Sequence, residues 1–201
     1  HRDLHSFPTR RSSDLMILTS LRLVEQAASD PAAFAELYEA CFPAVFHYIQ
    51  FRCDGTQAAQ DLTAQVFEKV LRRLPNYRPT GAPFEAWLFT VARNTVTDWQ
   101  RAERLRAALP WEALRRLRAP DPPPEAAALR SEERARLKTA LARLNERERD
   151  LLGLRFASGL KNCEIARVVG LDENHVAVLI YRALGKLRGW MGDGAEVADG
   201  R

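Results

Sequence analysis

The stretch that decides the fold covers residues 162–180 and reads NCEIARVVGLDENHVAVLI. Ala166 is small enough for a second helix to cross close to it, and Gly170 permits the turn between the helices. The apolar side chains that fill the angle between the two helices are Ile165, Val169, Val176 and Ile180. This spacing is typical of a helix-turn-helix unit, whose second helix, here starting at Asp172, enters the major groove of DNA. A plain helical hairpin packed for stability is the alternative.

Helical periodicity continues on both sides of this unit. Ser131 is expected to cap one helix, and Asn145 with Glu148 forms a capping-box pattern for the next. The four C-terminal helices are expected at about residues 131–144, 145–159, 162–169 and 172–188. They define a helix-turn-helix domain over residues 131–189, followed by a flexible tail at residues 190–201.

A proline-rich segment precedes this domain. Residues 119–125 read APDPPPE, and three consecutive prolines cannot continue a helix. Such a segment favours an extended, fairly stiff chain. We therefore expect a linker at residues 109–130 that joins two domains.

The N-terminal domain, residues 16–108, is expected to contain three helices. Asp30, followed by Pro31, caps the first helix and Thr56 caps the second, which Pro75 stops. The third helix runs from about Pro83 to Arg106. The apolar stripes at three- and four-residue spacing are Phe34, Leu37, Tyr38, Cys41 and Val45 in the first helix, Leu62, Val66, Val70 and Leu74 in the second, and Phe84, Leu88, Val91 and Thr95 in the third. The predicted fold class is therefore all-α, with two small helical domains.

Residues His1 to Leu15 do not match the rest of the chain. They carry no helical period, and Met16 is a natural starting residue. The stretch resembles translated adapter sequence, so we expect a non-native extension; a functional basic arm is the alternative.

Composition is that of an ordinary globular protein. Hydrophobic residues make up 46% of the chain and charged residues 28%, so a packed core is expected. No apolar run approaches the roughly 20 residues that a membrane span needs, so we expect no membrane insertion and a cytoplasmic location. The three cysteines, Cys41, Cys53 and Cys163, form no CxxC pair, and each is expected to be buried or half-buried. No metal and no cofactor is expected.

Several motifs resemble one known family, in that family's order. In the N-terminal part these are DLTAQVF at residues 61–67, FEAWL at residues 84–88, VARN at residues 91–94, Asp98 and Arg101. In the C-terminal part they are LARL at residues 141–144, Glu148, Leu151, Leu152, Arg155, Phe156, Gly159-Leu160 and Glu164-Ile165-Ala166. Together they resemble the extracytoplasmic-function (ECF) sigma factors of bacterial RNA polymerase. The resemblance implies a transcription initiation factor that binds core RNA polymerase and promoter DNA, is held by an anti-sigma factor, and has no catalytic site.

The resemblance also implies a role for the second predicted helix and for the loop after it. Asp61, Gln65 and Glu68, on the polar flank of that helix, would dock onto core polymerase. In the loop, Asn76, Tyr77 and Arg78 offer an amide, a ring and a cation, which suit the capture of an unstacked promoter base. Solvated turn residues are the alternative for this loop.

A polar row follows the outer side of the third predicted helix. Its members are Arg93, Asn94, Thr97, Arg101 and Arg104. Such a row can donate hydrogen bonds to phosphates and exposed base edges, and in the family this side meets the minus-ten element. A solvated polar face is the alternative. Trp87 is assigned to the core.

The recognition helix departs from the family, which usually has basic residues near Ala177 and Leu179. The candidate contacts to the minus-thirty-five element are Asn174, His175, Ala177, Val178, Tyr181, Arg182 and Lys186. The apolar members can meet a thymine methyl group or a protein partner, but they cannot neutralise phosphate.

Three other functions stay open beside a sigma factor. A helix-turn-helix regulator could bind operators without polymerase, although it would not need the motifs at residues 61–67 and 84–101. A sigma-like protein that titrates partners would fit the altered recognition helix. An enzyme is disfavoured because no nucleophile–base pair, paired carboxylates or glycine-rich phosphate loop is found.

Overall fold

The computed structural model describes residues 21–53, 55–79, 81–107 and 128–192, except for the side chains of residues 128–134. Every regular element within these ranges is helical, which confirms the predicted all-α class. The expectations for residues 1–15, for the APDPPPE segment and for residues 193–201 lie outside the described residues, whereas residues 190–192, predicted to begin the flexible tail, continue the last described helix. None of the described helices has the length and apolar character required to cross a bilayer.

Four helices build the N-terminal unit: α1 Leu21–Ala27, α2 Pro31–Arg52, α3 Thr56–Arg73 and α4 Phe84–Ala107. Asp30 caps α2 as predicted, because its Oδ1 accepts a 2.9 Å hydrogen bond from the amide of Ala32. The predicted stripes of α3 and α4 are buried in full, as are Leu37, Cys41 and Val45 of α2. Phe34 is half-buried and Tyr38 is exposed, so the stripe of α2 is narrower than predicted.

Three helix starts differ from the prediction. Helix α1 was not predicted because seven residues hold too little periodicity; Val24 and Ala27 are buried where it packs against α2. Thr56 does not cap α3, because Gly55 takes the capping position at φ +99° and Thr56 is already helical. Ser131 does not begin its helix either, since that helix starts at Ala128.

The C-terminal unit consists of α5 Ala128–Arg143, α6 Glu146–Leu152, α7 Asn162–Val169 and α8 Glu173–Gly192. A π-helical turn, Gly153–Ala157, continues α6. The capping box of α6 is confirmed: the amide of Glu148 donates to Asn145 Oδ1 at 2.8 Å, and the amide of Asn145 donates to Glu148 Oε2 at 3.2 Å. Helix α7 has the predicted bounds, and Gly170 lies at the predicted turn, where it adopts a left-handed conformation at φ +70°.

The two units pack directly against each other. Helix α4 contacts α7, and the π-helical turn contacts α2. Gly153 lies at the closest approach, because a Cβ atom there would stand 3.0 Å from Phe51 Cδ1 and 3.3 Å from the ring of Tyr48. The buried side chains of both units form one continuous apolar cluster.

Candidate nucleic-acid interface

The polar row of α4 lies on one flank of the helix, because its members recur at helical steps. Asn94, Arg101 and Arg104 are exposed, whereas Arg93 and Thr97 are half-buried. Arg101 Nη1 lies 3.8 Å from Asp98 Oδ1 within the same helix. The hydroxyl of Thr97 donates a 2.8 Å hydrogen bond to the carbonyl of Arg93, so it is engaged by its own backbone.

Arg93 is held by a carboxylate of the other unit. Its Nε lies 2.6 Å from Oδ2 of Asp150, whose side chain is only 6% exposed. Oδ1 of the same carboxylate accepts a 2.6 Å hydrogen bond from the hydroxyl of Tyr48, and Arg52 Nε lies 3.6 Å away. One buried carboxylate therefore faces two guanidinium groups and a phenol, which compensate for its loss of hydration.

The hydroxyl of Tyr48 remains a hydrogen-bond donor in this cluster. Burial raises the pKa of Tyr48 well above its ordinary value, and the negative charge of Asp150 raises it further. The positive charges of Arg52 and Arg93 oppose the shift. Because the phenol stays protonated, it can complete the coordination of the carboxylate.

Helix α6 reaches the polar row at a second point. Glu146 forms an exposed ion pair with Arg104, and its carbonyl accepts a 3.2 Å hydrogen bond from Nη1 of Arg52. Nη2 of Arg52 donates to Gln100 Oε1 at 3.2 Å. The structure thus brings two members of the predicted row, Arg93 and Arg104, against acidic residues of α6.

Sequence reasoning missed this contact. Tyr48 and Arg52 follow the buried stripe of α2 at helical steps, and Asp150 ends the charged run at residues 146–150, directly before Leu151. A polar group inside a buried pattern is a signal for a partner, but it does not identify the partner.

The loop before α4 places the three predicted base-capturing residues in different surroundings. Asn76 is exposed at the end of a 3₁₀ turn, Leu74–Asn76. Arg78 is exposed and donates to the carbonyls of Pro75 and Tyr77, at 3.2 and 3.0 Å. The side-chain amide of Asn76 is on the surface, and Tyr77 is the next residue in the chain.

The Tyr77 ring is half-buried in an aromatic cluster. Its centroid lies 5.6 Å from that of Phe84, edge to face, and 5.0 Å from that of Trp87. Burial raises the pKa of Tyr77, and the nearby Glu85 raises it further. Trp87 is half-buried against the core, and its ring centroid lies 5.5 Å from that of Phe84.

Helix α8 has a buried face and an exposed face. Its inward residues Val176, Ile180, Ala183 and Leu187 are all buried, as their spacing predicts. Asp172 caps the helix, since Oδ1 accepts from the amides of Asn174 and His175 at 2.8 and 3.3 Å. The exposed candidate contacts are Asn174, His175, Val178, Tyr181, Arg182 and Lys186. Ala177 is half-buried, and Leu179 packs against the core instead of facing outward.

The predicted polymerase-binding residues share the exposed flank of α3. Asp61, Gln65 and Glu68 are all exposed. Asp61 Oδ1 accepts a 3.1 Å hydrogen bond from Gln57 Nε2, and Glu68 pairs with Arg72 one turn further on. The flank is acidic and accessible.

Two sequence families match the chain, one in each unit. Residues 37–106 match the family described as Sigma-70 region 2, which covers most of α2, α3 and α4. Residues 134–187 match Sigma-70 region 4, which covers most of α5 to α8. The polar row lies in the first match and the helix-turn-helix in the second.

Curated relatives match most of the chain. The ECF RNA polymerase sigma factor BldN of Streptomyces coelicolor is 35% identical over 188 residues, 93% of this chain and 71% of that protein. The ECF RNA polymerase sigma factor SigD of Mycobacterium tuberculosis is 32% identical over 190 residues and 90% of each chain. Both matches run through both units.

Solved structures share the arrangement of helices. The structure of CnrH in complex with the cytosolic domain of CnrY covers 89% of this chain and 97% of its own, with a TM-score of 0.63 and 26% identity. The sigma factor RpoE of Bartonella quintana, solved with the anti-sigma factor NepR, covers 79% and 96%, with a TM-score of 0.59 and 21% identity. The second likeness concerns the fold alone.

Proposed function

The chain belongs to the ECF family of RNA polymerase sigma factors. From that membership we propose which surface of the chain serves each step of promoter recognition. Helix α3 binds core polymerase, α4 and its loop open and hold the minus-ten element, and α8 reads the minus-thirty-five element. The observation that carries this division is the donor-rich row of α4 beside an aromatic loop, inside the segment that matches Sigma-70 region 2.

The minus-ten surface combines two kinds of contact. Arg93, Arg101 and Arg104 supply cations for phosphates, and Asn94 supplies an amide for a base edge. Asn76 and Tyr77 form the place where an unstacked base is held, with Arg78 beside them. The exposed Asn76 and the half-buried ring of Tyr77 suit a base that has left the duplex.

The minus-thirty-five surface lies at the start of α8. Asn174 and His175 stand in its first turn, where a recognition helix approaches base edges. Val178 and Tyr181 meet thymine methyl groups and sugars, and Arg182 with Lys186 contacts phosphate. Because few cations lie early in α8, we expect its binding to depend less on salt than a more basic helix would.

The partners follow from the same family membership. Core polymerase docks on Asp61, Gln65 and Glu68 of α3, where a charged, exposed flank can meet a basic surface. An anti-sigma factor is a further partner; the relative RpoE was solved with one. These partners place the protein in the cytoplasm, and the chain acts by binding, without catalysis of its own.

In vitro transcription tests the proposed function. Core polymerase would be incubated with genomic fragments, with and without the full chain, and new transcript starts would be mapped. We expect starts that need both proteins. Specific binding to a fragment without core polymerase would indicate an operator-binding regulator. Loss of transcription by a second sigma factor, with no new starts, would indicate a titrating protein, a role that the exposed Val178 and Tyr181 of α8 also fit.

A further inference from the structure

A cavity of about 440 Å³ lies where the end of α2, the start of α3, α5 and α6 meet. Its described lining includes three basic side chains, Arg52, Lys138 and Arg149, and no acidic one, so we call it the basic cavity. We propose that the basic cavity binds a small organic phosphate of about the size of a nucleoside monophosphate. This inference goes beyond promoter recognition and does not depend on the proposed function.

Arg52 belongs to the inner wall of the basic cavity, since its side chain is only 3% exposed. Its Nη1 and Nη2 donate 3.2 Å hydrogen bonds to the carbonyl of Glu146 and to Oε1 of Gln100, so neutral acceptors hold the guanidinium in place. Its Nε is buried without a hydrogen-bond partner, because Asp150 Oδ1 is 3.6 Å away. A buried donor without an acceptor is costly, and an anionic oxygen in the cavity would supply one.

The other two cations lie on the side of the cavity formed by the C-terminal unit. Arg149 is half-buried, and its Nη2 donates 3.1 Å hydrogen bonds to the carbonyls of Ala142 and Leu144, which fix the position of the guanidinium. Lys138 is exposed, as expected for a residue at the mouth of the cavity. Guanidinium groups bind phosphate oxygens with planar donors, and an ammonium group binds them as a point charge.

The first turn of α3 opens onto the same cavity. Gly55 and Thr56 line it, and the cap at Gly55 provides no side-chain acceptor for the helix. The first amide groups of a helix lack intrahelical acceptors, and together with the helix dipole they attract anions. This helix start therefore adds to the attraction that Arg52, Lys138 and Arg149 exert.

An apolar wall distinguishes the basic cavity from a site for a bare ion. Phe51 and Leu141 are half-buried and line it, and Leu137, also in the lining, is 39% exposed. Sites for small organic ligands are typically about 300–1,000 Å³ in volume and combine apolar walls with a few polar groups. The ring or chain of an organic phosphate would pack against this wall while its phosphate meets the cations.

Titration calorimetry of the full chain tests the proposal with three probes: adenosine monophosphate, inorganic phosphate and adenosine. Lys138→Gln removes the exposed cation of the cavity without a change in the core. Lys161→Gln is the matched control, because it removes an exposed lysine that lies outside the cavity lining. Arg101→Gln reports whether a probe binds the polar row of α4 instead. Circular dichroism would confirm that each variant is helical.

We expect adenosine monophosphate to bind with a Kd below about 1 mM, inorganic phosphate to bind more weakly, and adenosine to give no heat of binding. Lys138→Gln should weaken binding of adenosine monophosphate about three- to tenfold, since one charge-assisted hydrogen bond is lost, and Lys161→Gln should not.

Three results would overturn the proposal. Adenosine that binds as tightly as its monophosphate would exclude an anion site. Equal weakening by Lys138→Gln and Lys161→Gln would indicate a general attraction of anions to a basic protein. Weaker binding in Arg101→Gln but not in Lys138→Gln would place the probe on the polar row of α4.

Discussion

Lys186 Nζ lies 2.5 Å from Glu148 Oε1 and joins the middle of α8 to the first turn of α6. Glu148 is nearly buried, and its other oxygen accepts from the amide of Asn145 in the capping box. One carboxylate thus serves both the start of α6 and the position of the recognition helix. Lys186, proposed as a DNA contact, also has this structural partner.

The capping box should contribute more to stability than the ion pair. We expect Glu148→Ala to lower the free energy of unfolding by about 1–2 kcal/mol, since it removes the side-chain half of the capping box together with the ion pair. Glu148→Gln keeps an acceptor for the amide of Asn145 and should cost less, because Lys186 is half-exposed and its pair is screened by solvent. Urea unfolding measures both; equal losses would mean that the charge, not the cap, matters.

The Tyr77 ring should act through its face and edge, not through its hydroxyl. We expect Tyr77→Ala to weaken open-complex formation by about 1–3 kcal/mol, as for loss of a stacking contact. Tyr77→Phe, the matched control, keeps the packing on Phe84 and Trp87 and should melt promoter DNA nearly as well. Permanganate footprinting of the holoenzyme reports melting. A defect in Tyr77→Phe as large as that in Tyr77→Ala would assign the role to the hydroxyl.

A new positive charge should have different effects at two neighbouring residues of α8: on DNA binding at Val178 and on stability at Leu179. Val178 is exposed, so Val178→Lys can reach phosphate and should steepen the dependence of log K on log salt by about 0.9. Leu179 packs against the core, so Leu179→Lys should instead lower stability. Holoenzyme binding to promoter DNA across a salt series, with thermal unfolding of the free protein, tests the pair. An unchanged slope for Val178→Lys would show that this face does not approach the DNA backbone.

The acidic flank of α3 should determine affinity for polymerase. We expect Asp61→Arg to weaken holoenzyme assembly at least several-fold, because it reverses a charge on the exposed flank that we propose as the docking surface for polymerase. Glu25→Arg makes the same change on α1 and is the control. Competition for core polymerase against a labelled wild-type chain measures both. Equal weakening by the two variants would indicate a general charge effect and would place the docking surface elsewhere.

Periodicity predicted the inner faces of the helices well because it depends on one helix at a time. Leu62, Val66 and Val70 recur on one side of α3, Leu74 follows at the same spacing in the 3₁₀ turn, and all four are buried. The same short-range reasoning identified the capping box at Asn145 and the turn at Gly170. Each of these features is determined by residues within a few positions of one another.

Contacts between distant parts of the chain were not predictable in the same way. Tyr48 and Asp150 are 102 residues apart, and no spacing rule relates a phenol in one helix to a carboxylate in another. The sequence predicted that Arg93 lies on the outer side of α4, but its engagement by α6 depends on how the two units pack. Helix α1 was missed for a related reason, since its stability comes from packing on α2.

The separation of Arg93 from Asp150 along the chain also has a consequence during synthesis. Asp150 follows Arg93 by 57 residues. Ribosomes add about 5–20 residues per second, so the arginine precedes its carboxylate by roughly 3–11 s. For that interval, Arg93 and Arg104 of the nascent N-terminal unit are without their acidic partners in α6. The contact between the two units can therefore form only after the whole N-terminal unit has been synthesised.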